Sequence, residues 1–210
     1  MSLLLTSVLV GCGILVGRFI ARGAKDEHHD VPPPEQKKEE PNKPPQPPAP
    51  NLDAFPCKLG DVVLRGTGDE AWLAGALVLR EGDEPAVVLF FSPEAGADRV
   101  VLARPGAKEL LWLTEEKDVA VPLGEPPTAL EVGTERYERR RRLPLRAERI
   151  GSGAPDLGRE VLFAEYTGLG DDRLVVIAGA ASEGRRDAIW AWRGPALLAG
   201  SYDVLPSDKG

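Results

Sequence analysis

Two similar stretches decide the fold, VVLFFSPEAGADRVVLA at residues 87–103 and VLFAEYTGLGDDRLVVIA at residues 161–178. In each stretch, a short apolar run leads through a turn containing glycine into an Asp-Arg pair and a second apolar run. Short runs rich in β-branched and aromatic residues, bounded by turn residues, are typical of paired β-strands. The two stretches therefore predict two β-hairpins.

Each hairpin is followed by a predicted strand containing tryptophan, at Leu110–Leu113 in the first copy and at Ala188–Trp192 in the second. A hairpin with one added strand cannot bury its apolar face alone, so two such units would share one core. Chance similarity between two hairpins with Gly-Asp turns is the competing explanation. We predict a mainly β fold of two related antiparallel sheet units, arranged as a sandwich or as paired half-barrels.

The expected units cover about 57–124 and 125–210, and the predicted strands alternate with turns rich in Gly, Pro and Asp. No window carries a sustained helical stripe of apolar residues, so helix is expected to be minor. The predicted strands are Asp61–Leu64, Ala71–Arg80, Ala86–Ser92, Arg99–Ala103, Glu109–Leu113, Glu135–Arg142, Leu145–Ile150, Glu160–Tyr166, Leu174–Ala178 and Ala188–Arg193.

The first 25 residues predict a membrane anchor with a basic flank. Met1 to Gly17 contains no charged side chain, and about 20 apolar residues suffice to span a bilayer. The nearby positive charges follow the span, so the positive-inside rule places the folded part in the cytoplasm. Leu9-Val10-Gly11-Cys12 also resembles a lipobox, which leaves open an exported lipoprotein that is lipidated at Cys12. A cleaved signal peptide or a buried helix is a further alternative.

Residues 26–56 hold ten of the chain's 20 prolines and show no apolar periodicity. Such a segment cannot repay the entropy of ordering, and dense proline favours extended polyproline II. We therefore expect a disordered, semi-stiff linker that holds the folded part, 57–210, away from the membrane.

Composition excludes several classes of function. A net charge of −7 argues against general nucleic-acid binding, and two cysteines cannot form a disulfide-rich scaffold. The folded part has no histidine, which excludes Ser-His-Asp and Cys-His catalysis and His-ligated zinc. No phosphate-binding glycine loop occurs, so we expect no cofactor and no metal. A lone Cys57 is expected to be an inert apolar residue rather than a nucleophile.

Three groups of residues remain as candidates for function. The carboxylate pairs Asp69-Glu70, Glu115-Glu116 and Asp171-Asp172 keep a carboxylate-dependent hydrolase open as an alternative. A basic tract is either a patch for anionic lipid or an acidic partner, or a charged edge strand that discourages aggregation. Its central residues are Arg139, Arg140, Arg141 and Arg142. Trp190 and Trp192, two apart on one strand, should share a face, either as a stacking platform or as core.

Short segments resemble the bacterial family called domain of unknown function 4178 over roughly 58–206. They are Lys58-Leu59-Gly60-Asp61-Val62-Val63, the strand ending in Trp112-Leu113, and Glu165-Tyr166-Thr167-Gly168 before a further strand. The resemblance implies a small bacterial β-rich domain without an assigned activity, so no catalytic residue carries over from it.

The sequence thus predicts a single-pass, membrane-tethered, non-catalytic β-domain that serves as an interaction or accessory module, with a protein partner. The alternatives are an envelope lipoprotein lipidated at Cys12 and, less favoured, a carboxylate-dependent hydrolase.

The orientation can be tested with a C-terminal tag exposed to protease in intact cells, spheroplasts and lysed spheroplasts. We expect the tag to resist protease until lysis, because the basic flank holds the folded part in the cytoplasm. Cleavage before lysis would contradict this orientation. In a Cys12→Ser variant we expect unchanged membrane attachment, and its loss would favour the lipoprotein.

Overall fold

The computed structural model describes residues 50–94, 97–122, 125–179 and 188–207, and every regular element in these ranges is a β-strand. The predicted anchor, Cys12 and most of the predicted linker lie outside them. The strands are β1 (Val62–Arg65), β2 (Glu70–Trp72), β3 (Gly75–Glu81), β4 (Glu84–Glu94), β5 (Ala97–Ala103), β6 (Leu110–Glu115), β7 (Ala129–Val132), β8 (Glu135–Gly151), β9 (Glu160–Thr167), β10 (Asp172–Gly179), β11 (Ala188–Leu197) and β12 (Tyr202–Leu205).

Eight of these strands close into an antiparallel barrel. Their order is β3-β4-β5-β6-β11-β10-β9-β8, and β8 pairs back with β3. The closing pair runs in register from Gly75 opposite Gly151 to Arg80 opposite Arg146. β7 pairs with the first residues of β8 outside this ring. The fold is therefore mainly β, as the sequence predicts, but it holds one barrel rather than a sandwich of two sheets.

Two glycines allow the closing strands to approach. A Cβ atom on Gly75 would lie 1.8 Å from the carbonyl oxygen of Ser152, and one on Gly151 would lie 2.5 Å from that of Ala74. Gly151 also has a positive φ of 68°, a conformation that side chains with a Cβ rarely adopt. A larger residue at either position would displace β3 from β8 along their closing pair, which we call the seam.

The barrel interior is filled by alternate side chains of its strands. On β4, Leu89 and Phe91 belong to the interior cluster, whereas Val88 and Phe90 belong to a second cluster on the outer face. Both sets are buried, with exposures of 5% or less. A strand buried on both faces reads as a continuous apolar run, which explains VVLFF in the sequence.

A small sheet covers part of the outer face. Its order is β12-β1-β2, and Val63 on β1 and Ala71 on β2 contribute to the outer cluster with Phe90 and Trp112. Leu52 and Phe55 are buried in the same cluster. The packing of the outer cluster therefore includes two residues that precede Cys57.

A second part of the outer face is covered by β7 and by the segment at 119–121. Leu130 and Val132 on β7 are buried with Tyr166 and Val176 of the barrel. The sequence prediction contains neither β7 nor β12. Both are four-residue strands, too short for a clear alternation.

The two copies of the repeat occupy neighbouring positions in the barrel. Strands β4, β5 and β6 are consecutive, as are β9, β10 and β11, and the two sets meet where β6 pairs with β11. Two predicted strands, Glu135–Arg142 and Leu145–Ile150, are one 17-residue strand, β8. β7 pairs with the start of β8 and β3 with its end, so neither strand lies beside Pro144. Because proline has no N–H to donate, β8 can continue through it at this unpaired edge.

One end of the barrel carries a buried ion pair. Val100 and Leu102 point into the barrel, and Arg104, two residues further on, points to the same side. Glu165 follows Val161 and Phe163 on the inner side of β9 in the same way. Their side chains meet at 2.5 Å and are 14% and 2% exposed. Glu165 Oε1 and Arg104 Nε have no protein partner among the described residues, and Arg104 Nη1 also lies 3.7 Å from Glu109 Oε1.

Removing one member of this pair should be costly. We expect Arg104→Met to lower the free energy of unfolding by about 3–5 kcal/mol, because it leaves the Glu165 carboxylate unpaired in the barrel. The double variant Arg104→Met/Glu165→Leu should recover most of that loss. Urea unfolding measures both values.

The matched control is Arg65→Met, which breaks an exposed pair with Asp69 at 3.5 Å. It should cost less than about 1 kcal/mol. Equal losses in Arg104→Met and Arg65→Met would show that burial of the Glu165 carboxylate does not matter.

Candidate functional site

The other end of the barrel opens into a cavity of about 120 Å³. It lies beside the inward residues Phe91 and Val100, near the ends of β4 and β5 that are remote from Arg104. We call it the mouth cavity. It is lined by Phe91, Ser92, Pro93, Val100, Glu115, Gly153, Pro155, Trp190 and Trp192.

Aromatic rings form much of this lining. The rings of Phe91 and Trp192 meet edge to face, with centroids 6.0 Å apart and an interplanar angle of 72°. Trp192 is 3% exposed, whereas Trp190 is only partly buried and packs against the same interior cluster. Trp190 and Trp192 thus line the inner side of the barrel, where one supports the core and the other lies nearer solvent.

Among the described residues that line the mouth cavity, Glu115 is the one with a charge. It continues the inward alternation of Leu111 and Leu113 on β6, and it lies directly opposite Trp192 on β11. Its side chain is 39% exposed, and in the described part of the chain it pairs with Lys117, at 3.5 Å. Because Lys117 is 78% exposed, this pair is weak and easily displaced.

The neighbouring arginines face away from the mouth cavity. The Arg99 guanidinium lies 5.2 Å from the centroid of the Trp112 ring, which belongs to the outer cluster. The Arg193 guanidinium lies 5.5 Å from the Tyr137 ring on the other covered face. Neither cation therefore neutralises Glu115.

The predicted arginine patch is divided by the structure. Arg139 donates to the carbonyl oxygen of Pro126, and Arg142 pairs with Glu125 at 3.2 Å. Arg140 and Arg141 are exposed. Between its pairings with β7 and β3, the 141–145 segment of β8 pairs with β9 and with no other described strand. Both interpretations of the patch, a surface for anionic lipid or an acidic partner and a charged edge strand, stay predictions.

The three predicted carboxylate pairs lie on different elements. Asp69-Glu70 lies at the start of β2, Glu115-Glu116 at the end of β6, and Asp171-Asp172 at the start of β10. Asp172 and Glu135 share the hydroxyl of Tyr137 and the guanidinium of Arg193, with Arg193 Nε 2.9 Å from Asp172 Oδ2. This cluster ties β8, β10 and β11 together, so its carboxylates already have partners.

Burial controls the acid–base behaviour of the hydroxyl and thiol groups. Burial, with hydrogen bonds to Asp172 and Glu135, raises the pKa of Tyr137 far above its usual value. Burial raises the pKa of Tyr166 to about 12 and also raises that of Tyr202. The Cys57 thiol is 1% exposed and burial raises its pKa to about 12, so its reactive thiolate is scarce at neutral pH.

In the described ranges, no group of three or more His, Cys, Asp or Glu side chains is arranged to bind a metal ion. Nor is any helix in these ranges long and apolar enough to cross a membrane.

Comparison with known proteins finds no match to a family model, to a curated protein or to a solved structure. The resemblance to the domain of unknown function 4178 family stays a prediction.

Sequence reasoning named Trp190, Trp192 and Glu115 separately but did not bring them together. It also missed Phe91 as their neighbour. The signal for Phe91 was its place two residues after Leu89, on the same face of β4. The contact between β6 and β11 joins residues 77 positions apart, such as Glu115 and Trp192, and no local pattern reports it.

The tyrosines give a pH prediction with a definite sign. All three have raised pKa values when folded, so above about pH 10 the unfolded chain loses phenolic protons that the folded chain keeps. The contribution of the tyrosines to the free energy of unfolding should be fully present below about pH 10. It should fall as pH rises further, by up to about 1.4 kcal/mol per pH unit for each tyrosine.

Absorbance at 295 nm and urea unfolding between pH 8 and 11.5 measure these effects. Tyr137→Phe should make the decline shallower, because it removes one of the three phenols. Ionisation of three phenols near pH 10 in the folded protein would contradict the prediction.

Proposed function

We propose that the chain is a membrane-tethered, non-catalytic binding module and that the mouth cavity is its binding site. The observation that carries this proposal is the aromatic cavity at one end of an otherwise filled barrel. Small-molecule sites are typically concave and mostly apolar, with a few polar groups that fix orientation, and the mouths of barrels are frequent places for them.

The size of the cavity supports binding of one group rather than a large ligand. A dry apolar cavity of ~150 Å³ in another protein accepts benzene, so about 120 Å³ suits a group of similar or smaller size. Such a group is a side chain of a partner or the end of a small molecule.

The arrangement of the barrel supports entry from one side. Arg104 and Glu165 occupy the lumen at the far end, and the interior cluster fills the space between. A ligand at the mouth cavity would therefore first contact the part of its lining that retains exposure, which includes Glu115, Pro93 and the partly buried Trp190.

The membrane tether in this proposal rests on the sequence of the first 56 residues. An apolar anchor followed by a proline-rich spacer would tether the barrel to a membrane. Within the proposal the barrel faces the cytoplasm, and the lipoprotein alternative differs in placing it in the envelope.

We also propose that the barrel consists of two related halves. The matching sets β4-β5-β6 and β9-β10-β11 meet where β6 pairs with β11, and this arrangement favours two related halves. Each half alone would leave its apolar faces open, so the halves would be stable only as one barrel.

A neutral probe tests the binding site. We expect 3,3-dimethylbutan-1-ol, added to the full chain in a maltoside detergent, to change tryptophan fluorescence saturably. Trp190→Ala should weaken this binding by about tenfold, because loss of an aromatic contact in a binding pocket commonly costs more than ~1 kcal/mol.

Trp72→Ala is the matched control, since Trp72 is 56% exposed on the small sheet and does not line the mouth cavity. It should leave the affinity unchanged. No saturable signal, or equal weakening by both variants, would contradict the proposed site.

A further inference from the structure

We infer that the group recognised by the mouth cavity is a fully alkylated ammonium, such as a trimethylammonium group. This inference rests on the proposed function and names the chemistry of its ligand. The juxtaposition that carries it is a carboxylate, Glu115, placed directly across the strand pair from Trp192 in a cavity lined with aromatic rings.

The aromatic lining attracts a cation. The face of a tryptophan ring carries negative electrostatic potential, and a cation near that face gains the most when water is excluded. Trp192 is almost completely buried and Trp190 partly so, and both line the cavity, so a cation held there would lie beside two indole rings.

The charges around the cavity favour the same sign of ligand. Glu115 is the one charged residue in the described lining, and among the described residues it forms an ion pair with the exposed Lys117. Arg99 and Arg193, the cations on adjoining strands, stack on rings of the outer faces instead. A cationic ligand would replace Lys117 beside Glu115, whereas an anion would meet the carboxylate in a wall whose described residues include no cation.

The shortage of acceptors selects an alkylated ammonium over a primary amine. A primary ammonium has three N–H donors that each need an acceptor once water is lost. The described lining offers two acceptor side chains, the Glu115 carboxylate and the Ser92 hydroxyl, among proline, valine and aromatic carbon. A trimethylammonium group has no N–H donor, so it keeps its charge–ring and charge–carboxylate attraction without leaving donors unpaired.

Choline and 3,3-dimethylbutan-1-ol have the same shape and differ in charge, so together they isolate the contribution of the cation. In fluorescence titrations of the full chain at constant ionic strength, choline should bind at least about fivefold more tightly than the neutral alcohol. Glu115→Gln should remove most of that difference and leave binding of the alcohol unchanged.

Glu131→Gln is the matched control, because Glu131 is an exposed acid on β7 that does not line the cavity. It should change neither affinity. Lys117→Ala should strengthen choline binding, because it removes the cation that competes for Glu115.

The outcomes separate this inference from the proposed function. If the alcohol binds as tightly as choline, the inference is overturned while the binding site stands. If neither probe binds saturably, both the inference and the proposed function fail. Titration with an N-acetylated trimethyl-lysine amide distinguishes a partner's side chain from a free small molecule, and the tighter of the two identifies the source.

Discussion

The pairing of β3 with β8 is the constraint on which the rest of the structure depends. It converts an open sheet into a ring, so the inward faces of eight strands become one enclosed core. The approach of these strands depends on Gly75 and Gly151, where a Cβ atom would collide with the opposite backbone. Without this seam, the interior apolar residues would face solvent and the mouth cavity would have no wall opposite its tryptophans.

The two ends of the closed barrel differ in their chemistry. At one end Arg104 and Glu165 meet inside the lumen, and their charges neutralise each other. At the other end the partner of Glu115 in the described part of the chain is an exposed lysine, and aromatic rings line the same cavity. A buried ion pair in close contact holds two strands together, whereas a carboxylate with a weakly held partner is available to a ligand. A ligand is therefore expected at the mouth rather than at the opposite end.

Other charged groups of the barrel serve its architecture. Tyr137, Asp172, Glu135 and Arg193 join three strands through mutual hydrogen bonds, and Arg141 and Arg142 lie where β8 lacks one neighbour among the described strands. Asp172 and these arginines were candidates in the sequence because charge and clustering are visible there. The partners of Asp172 became visible only when residues distant in the sequence were placed beside it.

The sequence by itself determined the β character, the repeated hairpins and the residues of the tryptophan strand, because apolar alternation and turn chemistry are local. Tertiary structure alone decided that the two copies form one barrel, since ring closure depends on the distant pair Gly75 and Gly151. It also decided that Glu115 faces Trp192. Which strands become neighbours is a global property of packing, and the same local pattern suits a sandwich or a barrel.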